Sequence, residues 1–303
     1  MRYGDAAAFR QGLEQRLRTR AAGDGARLAR DRKRIAFDRL LARLVEAAPE
    51  RWLLKGGFAL DLRLSNRART TRDVDIDWQA AEEELSDALI DAAALETDDF
   101  FTFEIERTGT PPERLGGSHR FRATAHLAGR QFETFLLDVG LPSDPVGEHD
   151  TLTTPDLLAF AGIDPVDVPA VPLERQIGEK LHAFTRRYGN DQPSSRARDL
   201  IDIVLMSELA SFEFERLQDV IVLLFEARAT HDLPASLPAP PREWAVPYRA
   251  LAEEVGLDPD LSVGHRRAAA FLDPVLAAEP DTTQWDTEEL RWQRKPSTDG
   301  GTG

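Results

Sequence analysis

The sequence predicts an α+β protein, with a mixed-sheet domain over residues 1–165, a helical domain over 166–295 and a disordered tail at 296–303. Three observations carry that expectation. Several short runs before residue 141, "FFTFEIER" among them, alternate apolar and polar residues with period two, as half-buried strands do. After the proline-spaced connector "DPVDVPAVP" (164–172) the sequence reads almost wholly helical. A chain of 303 residues is also long enough for two ordinary domains, each with its own core, and it contains no internal repeat.

Taken in order, two amphipathic helices open the chain, at about 5–21 and 26–47; in the second, Leu28, Ile35, Leu40, Leu41, Leu44 and Val45 recur near helical spacing. A short strand at 51–54 meets Gly56-Gly57 and runs into a helix through "FALDLRL". The next strand is 73–78. "EEELSDALIDAAAL" places its acids in the first helical turn, where they suit the helix dipole. "HRFRATAHLAGRQFETFLLDVGL" reads as two strands around a turn at Ala128-Gly129-Arg130. The tail "KPSTDGGTG" has no apolar residue to anchor it.

Composition removes several chemistries. With no cysteine there is no disulfide framework, zinc–thiolate site or thiol nucleophile. The histidines at 119, 126, 149, 182, 231 and 265 never fall three or four apart, so no helical face pairs two of them as metal ligands. The N-terminus lacks the apolar core of a signal peptide and no apolar run approaches the ~18 residues that span a bilayer, so a cytoplasmic protein without membrane contact is expected. The net charge of −15 opposes nucleic acid, yet residues 10–43 hold eleven Lys/Arg against four Asp/Glu, a local +7. That run either solvates the outer face of a helix or forms a docking patch in which Arg30, Arg32, Lys33 and Arg34 contact RNA.

The chemistry concentrates between residues 53 and 78. On a strand, Asp73, Asp75 and Asp77 point to one face while Val74 and Ile76 point to the other. Neighbours in such a stripe, about 6.6 Å apart, repel by roughly 2–2.5 kcal/mol at an effective dielectric of 20, a cost that a bound cation offsets. Hard carboxylate oxygens suit Mg²⁺, which keeps several waters and completes its shell with substrate phosphates. The other reading of the stripe is an edge strand whose charges prevent aggregation. Gly56-Gly57 stands at a strand-to-helix turn, where bare backbone N–H groups approach a phosphate at the positive end of a helix. No Gly-Lys-Ser/Thr follows, so this is not a Walker A loop.

Leu54, Lys55, Gly56, Gly57, Ala59 and Leu60, then Arg69, Thr71, Asp73, Val74 and Asp75, resemble the "LKGG-AL" and "R-[ST]-x-D-[IV]-D" segments of the AbiEii/AbiGii toxin family, within the nucleotidyltransferase superfamily typified by DNA polymerase beta. "EKLHAFTRR" (179–187) and "RARDLIDIVLM" (196–206) resemble its later segments in the same order. The resemblance implies a nucleotidyltransferase core, a nucleoside triphosphate, Mg²⁺, an antitoxin partner and action at the 3′ end of tRNA. Beside the resemblance, Asp73 and Asp75 are expected to hold the metal, with Asp138 of "FLLDVG", a charge among apolar neighbours on a separate strand, as third ligand and Asp77 as its rival. Lys55, Gly56, Gly57, Arg69 and Thr71 fall to nucleotide binding, and Lys180 to a triphosphate clamp. Asp202 either orients Lys180 or accepts the attacking hydroxyl's proton. The same chemistry aimed at a small-molecule or protein hydroxyl, and a silent module that only holds nucleotide or antitoxin, are the competing functions.

Overall fold

A computed structural model describes residues 2–64, 67, 69–108, 119–141, 147–188, 192–193, 196–278 and 283–294. The expected tail lies outside them. The chain divides into two compact units, Met1–Asn66 with Thr70–Val171, and Arg67–Arg69 with Pro172–Gly303.

The first unit opens with helices α1 (Ala6–Ala21) and α2 (Gly25–Ala47). Asp5 and Asp24 cap them, accepting hydrogen bonds from the amides of Ala8 (2.8 Å) and of Ala26 and Arg27 (2.9 and 3.1 Å) that no helical carbonyl could serve. The chain continues through β1 (Trp52–Lys55), α3 (Gly56–Leu64), β2 (Asp73–Trp78), α4 (Leu85–Ala94), β3 (Phe101–Arg107), β4 (His119–Leu127) and β5 (Arg130–Gly140). Ala128 and Gly129 join β4 to β5 with φ of 53° and 67°, the two positive angles that a type I′ hairpin turn requires.

Two strands that the sequence did not signal complete the sheet: β6 (Asp150–Thr153) and β7 (Asp167–Ala170), the latter inside the connector at 164–172. β7 has four residues, one of them Pro169, and is held as a strand by long-range pairing, parallel to β1 at Leu54–Ala170 and antiparallel to β6. The strand order is β3-β4-β5-β2-β1-β7-β6. β2 therefore lies near the middle, antiparallel to β1 and parallel to β5. Its Val74 and Ile76 are fully buried in a core that includes Phe37, Phe58 and Phe135, whose rings meet edge-on at 4.8–4.9 Å. Each such buried aliphatic side chain contributes roughly 1.5–3 kcal/mol, which offsets the repulsion among the carboxylates on the opposite face of the strand.

The second unit consists of α5 (Leu173–Thr185), α6 (Ala197–Ser207), α7 (Phe214–Arg228), α8 (Ala245–Val255) and α9 (Leu261–Leu276), with two short ribbons, β8 (Arg187–Tyr188) with β9 (Gln192–Pro193) and β10 (Gln284–Asp286) with β11 (Arg291–Gln293). α6 is buried almost all round: Leu200, Ile201, Ile203, Val204, Leu205 and Met206 all lie in the core. Its two aspartates are carried inside with them. Trp285 and Trp292 close over Phe271, with ring centres 4.8 and 5.9 Å away. No described helix is long and apolar enough to cross a membrane.

Candidate active site

In the first unit, the acidic face of β2 meets the start of α3. Asp73 and Asp75 are partly exposed and Val74 and Ile76 buried, as the alternation predicts, but Asp77 is buried too, so the exposed stripe ends at Asp75. Gly56 is the first residue of α3 and has φ of +67°. A Cβ built on it would overlap the Asp75 carboxylate, so two requirements, the left-handed backbone and the close approach, both select glycine. The carboxylate of Asp75 is thus packed against a helix N-terminus, and Gly57 follows, buried, in the same first turn. Thr71 hydrogen bonds the carbonyl of Asp73 (3.2 Å), which ties the loop to the head of the strand.

The other two candidate ligands of this unit have cationic partners. Asp77 is buried, and Lys55 at the end of β1 reaches it on β2 with its Nζ 2.5 Å from Oδ1. Gly140 makes room for this pair, since a Cβ there would overlap Asp77 and stand 3.0 Å from the Lys55 ammonium. Lys55 therefore neutralises the third member of the stripe. Asp138 stands beside Asp75 in the β2–β5 register and opposite Arg120 in the β4–β5 register. Arg120 donates from Nε and Nη2 to its two oxygens (2.6 and 2.7 Å). These hydrogen bonds, followed by the charges of Asp138, Asp73 and Asp75, outweigh partial burial and hold the guanidinium proton more firmly than usual. Arg120 was not a candidate from the sequence.

Among the described residues no three His, Asp or Glu side chains gather as a ready metal cage. Asp138, the third carboxylate expected of the metal site, is held by Arg120. Asp73 and Asp75 still fit Mg²⁺, which takes one or two carboxylates and fills the remaining positions with waters and substrate phosphates. The missing side chain of Gly56 is what admits the Asp75 carboxylate to the start of α3.

In the second unit, α6 carries Asp199 and Asp202 on one buried face, and α5 presents Lys180 to both. Lys180 Nζ lies 2.8 Å from Asp202 Oδ2 and donates to Asp199 Oδ1 at 3.4 Å. Arg69 grips Asp202 with both prongs, Nε to Oδ1 (3.0 Å) and Nη2 to Oδ2 (2.9 Å). Arg196 approaches Asp199 at 3.1 Å. Burial alone would push the Asp202 carboxyl up, but Lys180 and Arg69 outweigh it and bring it down to about 2. An acid that weak in proton affinity stays ionised throughout the neutral range and makes a poor general base. Of its two sequence-based roles, the geometry favours holding Lys180.

The basic helix α2 is largely neutralised within its own unit. Arg34 is buried and donates to both oxygens of Asp61 (2.7 and 2.6 Å). Arg32 is bound by Glu14 and the Phe132 carbonyl and lies over the Phe132 ring, 4.3 Å from its centre. Lys33 reaches Glu133 (3.2 Å), and Arg30 donates to the Thr70 hydroxyl (2.8 Å). Arg32, Lys33 and Arg34, expected to contact RNA together with Arg30, are thus each paired with an acid from a distant stretch of the chain.

A mixed sheet that sets two strand carboxylates beside a Gly-Gly helix start, in a chain whose later helices carry a lysine held by aspartate, defines a nucleotidyltransferase. The family model "Nucleotidyl transferase AbiEii toxin, Type IV TA system" matches residues 39–292, and the chain belongs to that family. It is a toxin of a toxin–antitoxin system, which implies an antitoxin partner. MenT4, a nucleotidyltransferase toxin from Mycobacterium tuberculosis H37Rv, shares the fold, with a TM-score of 0.52 and 19% identity over 88% of this chain and 98% of that one. JHP933 from Helicobacter pylori is more distant, with a TM-score of 0.44 and 14% identity over 82% and 93% of the two chains. No curated protein matches the sequence.

Proposed function

We propose that the toxin moves a nucleoside monophosphate from a nucleoside triphosphate to an RNA hydroxyl, that of the 3′ end of tRNA, and so blocks translation. The observation that carries the transfer chemistry is the packing of the Asp75 carboxylate on Gly56 at the first turn of α3, with Asp73 two residues before it on the same strand. Asp73 and Asp75 would hold Mg²⁺, which when bound neutralises phosphate charge and polarises the α-phosphorus. The first-turn amides of Gly56 and Gly57 suit phosphate oxygens. Lys180 acts as a point-charge clamp on the triphosphate, and Arg69 adds a second cation, both held in place by Asp202. The acceptor hydroxyl displaces pyrophosphate as the bond to the α-phosphorus forms, the α–β anhydride breaks and the hydroxyl's proton passes to solvent. Asp202, already ionised and engaged, positions the two cations and takes no proton in this scheme.

A second reading, transfer to a small-molecule or protein hydroxyl, is favoured by one observation: the cations at Arg32, Lys33 and Arg34 are spent on Glu14, Glu133 and Asp61. One experiment separates the two. Purified protein is incubated with Mg²⁺, each α-labelled ribonucleoside triphosphate, and either total RNA or an RNA-free extract. Label on the 3′ ends of tRNA is the expected result. Label on a small molecule or a polypeptide, with RNA unlabelled, would transfer the proposal to the second reading.

A further inference from the structure

We propose that Arg120 is a displaceable counter-ion of the metal site: it occupies Asp138 while no divalent ion is bound and gives that carboxylate up when the ion enters. The inference rests on the assignment of Asp73 and Asp75 as metal-holding residues and adds a competing cation from the chain itself.

Three neighbouring strands line up the groups concerned. Arg120 on β4 is in register with Asp138 on β5, and Asp138 is in register with Asp75 on β2. The row therefore brings one guanidinium to a face bearing three carboxylates, Asp73, Asp75 and Asp138. Asp77, the next acid on β2, is held by Lys55. The pair between Arg120 and Asp138 is two-pronged, the geometry in which arginine binds a carboxylate most firmly.

Release is nonetheless feasible. The Arg120 side chain keeps 24% of its surface in water, whereas that of Arg43, which holds Asp99 in the core of the same unit, keeps none. An arginine at the edge of solvent can leave its partner without stranding a charge in an apolar interior. A divalent ion and a guanidinium drawn to one carboxylate compete for its oxygens and repel each other, so binding of one opposes binding of the other, and the coupling acts equally in both directions.

The test counts Mn²⁺ bound to the nucleotide-free protein by electron paramagnetic resonance of the free ion. Arg120→Gln is expected to bind Mn²⁺ at least about fivefold more tightly than the wild type, the lower end of typical coupling between sites. Arg120→Lys, which keeps the charge but loses the fork, falls between the two. In an Asp138→Asn background, Arg120→Gln should give no gain. An Arg120→Gln protein with wild-type affinity, or a gain that survives Asp138→Asn, overturns the proposal. Wild-type protein gives an independent readout: the ¹⁵Nε resonance of Arg120 should move on saturation with Mg²⁺, and a resonance that stays put overturns the proposal even if the variants do not fold. Asp75→Asn separates this failure from that of the underlying site. If Mn²⁺ binding is indifferent to Asp75→Asn, the metal assignment itself falls.

Discussion

Asp75 in β2 and Asp202 in α6 are the same side chain in opposite electrostatic circumstances. Asp75 is partly exposed on a strand that also carries Asp73, beside an Asp138 shared with one arginine. Asp202 has no exposed surface and is gripped by Lys180 and Arg69 together. The first cluster sets three carboxylates at the edge of solvent, where an incoming cation can reach them. The second has its charge satisfied inside the protein and so serves to fix the two cations. A carboxylate's role here follows from the balance of charge around it more than from its position in a motif.

The comparison breaks most sharply at Asp75. Asp75→Asn should lower nucleotidyl transfer by about a thousandfold, since a ligand of the charge-stabilising centre is lost. Its melting temperature should hold or rise slightly, because one repulsive charge leaves the stripe. Transfer rates with labelled triphosphate and a thermal melt read the two halves of the expectation, and a folded variant at wild-type rate would remove Asp75 from the chemistry. Asp202→Asn should act on stability as well as on transfer. Leaving Lys180 and Arg69 without their buried partner costs about 3–5 kcal/mol of stability, measurable by urea unfolding. An Asp202→Asn protein as stable as the wild type would mean that the cluster is not structural.

Acid sharpens the contrast at a smaller scale. His182 is also buried on α5, but its neighbours are cations: burial first, then Arg228, His231 and Arg186, push its imidazole down to about 3, with Glu179 opposing. The unfolded chain takes up that proton as pH falls through about 6.5, and the folded chain does not until about 3. The contribution of His182 to stability is therefore complete above 6.5 and drains away between 6.5 and 3. At pH 5 the loss is about 2 kcal/mol. Asp202 adds no slope there, because it is ionised in both states until pH drops below its ordinary value of 3.8. Denaturant unfolding at pH 7.5 and 5 measures this, and His182→Gln should flatten the difference.

The parts of the site that follow from local pattern were legible in the sequence. Alternation put Asp73 and Asp75 on one strand face, the glycine pair marked the start of α3, and Lys180 and Asp202 were singled out together before their contact was known. What escaped depends on register and on distant partners. A plain two-residue hairpin that pairs Leu127 with Arg130 would set Arg120 opposite Leu137. The irregularity between Ala125 and His126 shifts the ladder by one, so that Arg120 meets Asp138 instead. No local period announces such a shift. β7 was likewise hidden, because its strand character comes from β1, more than a hundred residues earlier in the chain. The neutralisation of α2 escaped for a related reason: Glu14, Asp61 and Glu133 are scattered through the sequence and meet the helix only in the folded unit.

Gly56 has a further consequence for a cell that carries this toxin without its antitoxin. Survivors of such a selection are those whose gene has been silenced, and many single-base changes do this by leaving an insoluble product. At Gly56 almost any missense codon adds a side chain where the Asp75 carboxylate already lies, on a backbone turn that other residues resist. Escape alleles at this codon should therefore be frequent, and because the core of the sheet is built elsewhere, many should still yield soluble, silent protein.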